Sequence, residues 1–223
     1  MPGGEHAQDD GVLSEAQERA AVIRAQRGDV DAFNALVTRY QSTAYSLALR
    51  MLGDADAAAD VTQDAFLAAF RNIRALRGMS FRAWLLRIVS NGCHDYWRAQ
   101  RRKPSESLDA LLDSGGEPTG GVVEPALAHA LADPSWNPES AALRAETIAA
   151  IESAVLRLPS DQRLVIILSD IQGVSYEEIA RVAEVPLGTV KSRIARARAR
   201  LRAMLQGQAE LLPHAERPDG RDE

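Results

Sequence analysis

The chain has 223 residues, 46% hydrophobic and 26% charged, which fits one large domain or two small ones and is too apolar for a wholly disordered chain. No apolar run approaches the roughly 20 residues of a membrane span, and the N-terminal MPGGEHAQDD lacks the apolar core of a secretion signal. The lone Cys93 and the scattered His6, His94, His129 and His214 give no disulfide or metal-ligand spacing, so the expectation is a cytoplasmic protein with no cofactor and no membrane insertion.

In chain order, Ser14 and Gln17 form a capping-box pattern before a helix that Gly28 stops. A second helix is predicted from about Val30 to Leu52, ended by Gly53. A third, capped by Asp54 or Asp56, ends near Gly78. On it Asp60, Gln63, Asp64, Leu67 and Arg71 share one face, while Val61, Ala65 and Ala68 point inward. Like charges four apart, with an exposed leucine among them, suit a basic and partly apolar protein surface. An acidic first turn favoured by the helix dipole would account for Asp60 but not for Leu67.

A fourth helix is capped by Ser80 and must stop before Pro104. Its buried stripe is predicted at Phe81, Leu85, Ile88, Gly92, Tyr96 and Ala99, with Trp84 read as core. Arg87, Asn91, His94, Arg98 and Arg101 recur on a different face, Arg102 and Lys103 add charge at its end, and Trp97 lies beside them. Cations that track phosphates, an amide that bonds a base and an indole for stacking suit a single-stranded nucleic acid. The alternative is a rim tryptophan with arginines that complement the helix dipole.

The net charge of −5 hides a strong asymmetry. Residues 104–139 carry seven acids, no lysine or arginine, and five of the ten prolines, which reads as a flexible acidic linker. Nine of the eleven aromatic residues lie between Phe33 and Trp97, so the half after the linker must pack on aliphatic side chains. There, helices are expected near 140–157, 160–171, 175–183 and 187–204. The domain reading is an extension over 1–29, a first domain over 30–103, the linker, a second domain over 140–206 and a tail over 207–223. The fold class is all-α, as two small helical domains.

The segment from Ser175 to Arg202 reads as helix, tight turn, helix, with a capping-box pattern at Ser175 and Glu178 and punctuation at Pro186 and Gly188. Val190, Ile194, Ala197 and Leu201 form the inward seam of the last helix. Opposite lie Ser192, Ala195, Arg196, Ala199 and Ala203, flanked by Lys191, Arg198 and Arg202 on one side and Arg193 and Arg200 on the other. Small alanines permit close approach to a major groove, Arg196 and Ser192 can reach base edges, and the flanking bases neutralise phosphates. A solvated bundle helix would intersperse acids, and residues 187–203 contain none.

The string F-x-x-W-L-x-R-I-x-x-N-x-x-x-D-x-x-R, at Phe81, Trp84, Leu85, Arg87, Ile88, Asn91, Asp95 and Arg98, resembles region two of the extracytoplasmic-function (group IV) sigma factors. D-V-T-Q-D-A-F at Asp60–Phe66 is similar to the same region's polymerase-binding segment. Leu158–Pro159, S-Y-E-E-I-A at Ser175–Ala180 and V-P-L-G-T-V-K-S-R at Val185–Arg193 resemble region four.

The resemblance implies a dissociable promoter-specificity subunit of bacterial RNA polymerase. Asp60, Gln63, Asp64, Leu67 and Arg71 would dock on the core enzyme. Arg77, Arg87, Asn91, His94, Trp97, Arg98, Arg101 and Arg102 would bind the minus-ten element as a melted strand. Thr189, Lys191, Ser192, Arg193, Arg196 and Arg200 would read the minus-thirty-five duplex. It also allows for an anti-sigma factor as partner. The competing reading is a helix-turn-helix transcriptional regulator with an N-terminal sensor or dimerisation domain. An adaptor without a DNA role is opposed by the acid-free basic helix, and an enzyme by the lack of any nucleophile–base pair, phosphate loop or metal cluster.

Overall fold

The computed structural model describes residues 15–102 and 138–209, so the expected cap Ser14, all of the acidic linker except Pro138 and Glu139, and the tail after Ala209 lie outside the described residues. All regular elements described are helical: α1 Glu15–Gln26, α2 Val30–Leu52, α3 Ala55–Asn72, α4 Phe81–Arg102, α5 Pro138–Leu156, α6 Ser160–Ile166, α7 Tyr176–Ala183 and α8 Leu187–Ala209. A short 3-10 turn, Ile73–Ala75, follows α3, and a π-helical segment, Ile167–Ile171, continues α6. No helix among the described residues is long and apolar enough to cross a membrane.

Local chemistry accounts for the boundaries. The Asp29 carboxylate accepts the Ala32 N–H at 3.0 Å to start α2, and Gly53 ends it with φ +74°, a left-handed conformation that only glycine adopts freely. Of the two acids proposed to cap α3, Asp54 does so, accepting from the Ala57 N–H at 2.8 Å. Ser80 caps α4 through the Ala83 N–H at 3.2 Å.

The helix placed in a separate extension is an integral part of the first unit. Ala21 and Ala25 are buried, and the Gln26 amide donates to the carbonyls of Ile73 and Leu76. Tyr40, buried on α2, donates to Glu18 of α1, and burial beside that carboxylate pushes the phenol up to about 12. Helix α4 packs against both α2 and α3. It approaches α3 so closely that a Cβ on Gly92 would lie 3.0 Å from a Val61 methyl, which is why the position takes no side chain.

One expectation is corrected. The buried stripe of α4 is broader than periodicity suggested: Phe81 and Leu85 are buried, but so are Ala83, Leu86, Val89, Ser90 and Cys93, while Ala99 is exposed. The cause is a second covering surface. Helix α7 packs directly on α4, and buried residues of both halves form one continuous core. The two domains on either side of the linker therefore pack against each other. Leu156 of α5 reaches the Gly53 turn, where an added Cβ would meet its methyl at 3.0 Å. A stripe read from one helix gives the direction of burial but not how many neighbours cover it.

Candidate nucleic-acid and polymerase interfaces

Helices α7 and α8 form the helix-turn-helix. Ser175 caps α7 by accepting the Glu178 N–H at 3.3 Å. The turn is closed by Glu184 at φ +54°, whose N–H bonds the Ala180 carbonyl, and it needs neither Gly188 nor Pro186 in a left-handed conformation. Val190, Ile194 and Ala197 are buried as expected, and Leu201 packs against the core. Arg196, Ala195, Ala199 and Ala203 are exposed on the opposite side, with Ser192 and Thr189 half-buried. The Ser192 hydroxyl donates to the Thr189 carbonyl at 3.0 Å, which orients it beside Arg196.

The flanking cations divide into two classes. Lys191 and Arg202 are exposed. Arg193 forms an ion pair with Asp161 of α6 at 3.1 Å, and Arg200 donates to the Gln162 side chain at 3.1 Å. Arg198 grips Asp170 in a two-pronged contact at 3.0 and 2.8 Å, which holds the Asp170 carboxyl below its usual range and the guanidinium above its own. The absence of acids within α8 is thus compensated from α6 and the π segment, which a scan along one helix cannot detect.

On α4, Asn91, His94, Trp97, Arg98 and Arg101 come together around a polar depression of about 390 Å³, with Ser160 of α6 on its rim. The His94 and Trp97 rings meet edge-on at 5.5 Å between centroids. Arg77 and Arg102 are exposed nearby in sequence, Arg98 pairs with Asp95, and Arg87 forms an ion pair with Glu184 of the helix-turn-helix. Half-burial of His94, aided by the Arg98 charge, lowers its pKa below 6.5 against the opposing pull of Asp95 and Asp161. The unfolded imidazole then binds protons more readily than the folded one, so this group's effect on stability worsens as pH falls through about 6.5. Thermal unfolding at about pH 7.5 and 5.5 should show a larger acid-induced loss in the natural protein than in His94→Gln. Equal losses would refute the assigned environment.

Asp60, Gln63, Asp64 and Arg71 are exposed on α3, and Leu67 is 44% exposed among them. The structure adds Phe70, 45% exposed with its ring edge against Phe33 at 5.0 Å. Sequence reasoning passed over it, although it stands one turn beyond Leu67. The patch therefore combines carboxylates with two large apolar side chains, a composition that fits a protein partner better than solvent.

Both halves of the chain are similar to known proteins. Residues 36–103 match the family model described as Sigma-70 region 2, and residues 148–201 match Sigma-70, region 4. The RNA polymerase sigma-H factor of Pseudomonas aeruginosa is 39% identical over 87% of this chain and 97% of its own length. The ECF RNA polymerase sigma-E factor of Escherichia coli K12 is 40% identical over 81% and 90% respectively. Among solved structures, CnrH in complex with the cytosolic domain of CnrY superposes with a TM-score of 0.59 at 28% identity, over 86% of this chain and 98% of that one. The sigma factor RpoE of Bartonella quintana, in complex with the anti-sigma factor NepR, gives 0.55 at 25% identity over 78% and 96%. A region 2 match across the N-terminal half disfavours a sensor or dimerisation domain there. With a region 2 unit and a region 4 unit in the expected order, and relatives aligned along nearly their whole length, the chain belongs to the extracytoplasmic-function sigma factors of the sigma-70 family.

Proposed function

We propose that this sigma factor directs cytoplasmic RNA polymerase to its promoters through three surfaces with separate tasks. The α3 face of Asp60, Gln63, Asp64, Leu67, Phe70 and Arg71 docks on the core enzyme. The α4 surface of Asn91, His94, Trp97, Arg98 and Arg101 captures an unpaired strand at the minus-ten element. Because it binds only the melted state, it shifts the duplex toward opening. The outer face of α8 reads the minus-thirty-five duplex, with Arg196 and Ser192 toward base edges and Lys191 and Arg202 toward phosphates. The observation that carries this reading is the exposure of both Arg196 and Asn91 on cationic helix faces, with nothing from the core sealing either. An anti-sigma factor is a fitting regulatory partner, because the Bartonella relative was solved with one.

The decisive experiment adds the purified chain to core RNA polymerase on promoter-containing DNA. Initiation at defined sites supports the reading, and specific binding to a palindrome by dimers without polymerase would replace it with the regulator. Within that assay, Arg196→Ala should lower discrimination between matched and scrambled duplexes by about 1–3 kcal/mol. Arg202→Ala should instead weaken both duplexes nearly equally and flatten the salt dependence by about one unit of slope. Identical behaviour of the two variants would overturn the division between base-directed and phosphate-directed side chains.

A further inference from the structure

We propose that Asp170 is a positioning residue for the duplex-reading helix: it holds Arg198 off the DNA phosphates and so limits the part of duplex affinity that carries no sequence information. This rests on the reading of α8 as the duplex-binding helix. At 100° per residue, Lys191, Arg198 and Arg202 fall within about 40° of one another and line one edge of its outer face. Phosphate contacts along such an edge strengthen binding to every sequence alike. The three cations are not equivalent. Lys191 and Arg202 are exposed and have no hydrogen-bond or ion-pair partner among the described residues. Arg198, between them, donates from Nε and Nη2 to the two carboxylate oxygens of Asp170. That fork engages the guanidinium edge with which arginine would otherwise grip a phosphate bidentately.

The carboxylate is itself fixed. Asp170 belongs to the π-helical segment, in which Ile167 and Leu168 are fully buried, and the Ser169 hydroxyl donates to its Oδ1 at 2.6 Å. Helix α8 does not depend on the pair for its seat. Val190, Ile194 and Ala197 anchor it with no more than 3% exposure, whereas the side chains of Arg198 and Asp170 are 52% and 34% exposed. An ion pair that open to water adds little stability. Its main consequence is electrostatic, because it neutralises the middle of a phosphate-facing row. The other edge of the helix repeats the arrangement, with Arg193 on Asp161 and Arg200 on the Gln162 side-chain oxygen. Each phosphate contact steepens the salt dependence of binding by about 0.9, so a helix with all six bases free would be drawn to any duplex. Competing non-specific sites outnumber specific ones by orders of magnitude. Holding Arg198 back leaves base reading by Arg196 and Ser192 a larger share of the total affinity.

The test reads salt dependence in the full chain on two duplexes of about 20 base pairs, one matched and one scrambled, titrated between about 50 and 200 mM salt. Asp170→Asn frees Arg198 while keeping the side chain's size. It should raise affinity for both duplexes at least about 3-fold at the lowest salt and steepen the slope of log affinity against log salt by about 0.9, the signature of one further phosphate. Asp170→Asn/Arg198→Gln replaces the ion pair by a neutral one and should return both duplexes to within about 2-fold of the natural chain, with the natural slope. Asp56→Asn, on an exposed side chain of α3, makes the same change in net charge and should move the slope by less than about 0.3. An unchanged slope in Asp170→Asn would overturn the proposal. So would an equal shift in Asp56→Asn, or a gain that survives in the double variant, because net charge alone would then account for it. A double variant about 0.9 shallower than the natural chain would also overturn it, since Arg198 would already be on a phosphate. That last comparison decides the matter even where the single substitution lowers the folded fraction. A natural chain without salt-dependent duplex binding defeats the reading of α8 itself, whereas natural binding with an unaltered slope in Asp170→Asn defeats this inference alone.

Discussion

Asp64→Lys is expected to weaken binding to core RNA polymerase at least about 100-fold, since a lysine facing a basic docking surface exchanges an attraction for a repulsion worth several kcal/mol. The side chain is exposed near the middle of the α3 face, flanked by Asp60 and Leu67 one turn to either side. Among the described residues its side chain makes no hydrogen bond or ion pair, so the substitution removes no polar contact from the fold. Circular dichroism should therefore be unchanged and the duplex affinity of α8 retained. Co-sedimentation with core enzyme measures the loss, and retained binding would remove the docking role from this face. Salt should shrink the contrast: the natural attraction weakens as ionic strength rises, and so does the repulsion in the variant.

Phe81→Ala is expected to destabilise the region 2 unit by about 3–5 kcal/mol, a large share of the about 5–15 kcal/mol typical of a domain. Phe81 is 2% exposed, and its ring meets Tyr40 at 5.6 Å, Trp84 at 6.1 Å and Phe33 at 6.3 Å between centroids. Removing the ring leaves three aromatic neighbours around a void that helices on all sides prevent from closing. Urea unfolding followed by tryptophan fluorescence measures the effect, because Trp84 and Trp97 both lie on α4. A midpoint unchanged from the natural protein would contradict the packing. Since α7 of the region 4 unit packs on α4, the variant should loosen that contact as well.

Much of the secondary structure was legible because it is decided within a few residues. Asp54, Ser80 and Ser175 cap the helices they precede, and Gly53 ends α2, through hydrogen bonds and backbone preferences that need no distant partner. The turn after α7 escaped that logic. Glu184 adopts a left-handed conformation that the sequence points to at glycine, and its ion pair with Arg87 belongs to tertiary contact. Burial on α8 followed its apolar seam, whereas the partners of Arg193, Arg198 and Arg200 did not, because Asp161, Asp170 and Gln162 approach from another helix.

By itself the sequence determined the all-α class, the division by an acidic segment, the cationic faces of α4 and α8 and the mixed acidic and apolar face of α3. All of these follow from helical periodicity and local charge, which are properties of neighbouring residues. The tertiary structure decided what those faces meet. It joined the two units in one core, drew Arg193 and Arg198 to carboxylates of the same unit, and laid Arg163 over Trp97. A helical pattern fixes the direction in which a side chain leaves its axis, but whether it meets solvent, nucleic acid or another helix depends on packing between segments far apart in the chain.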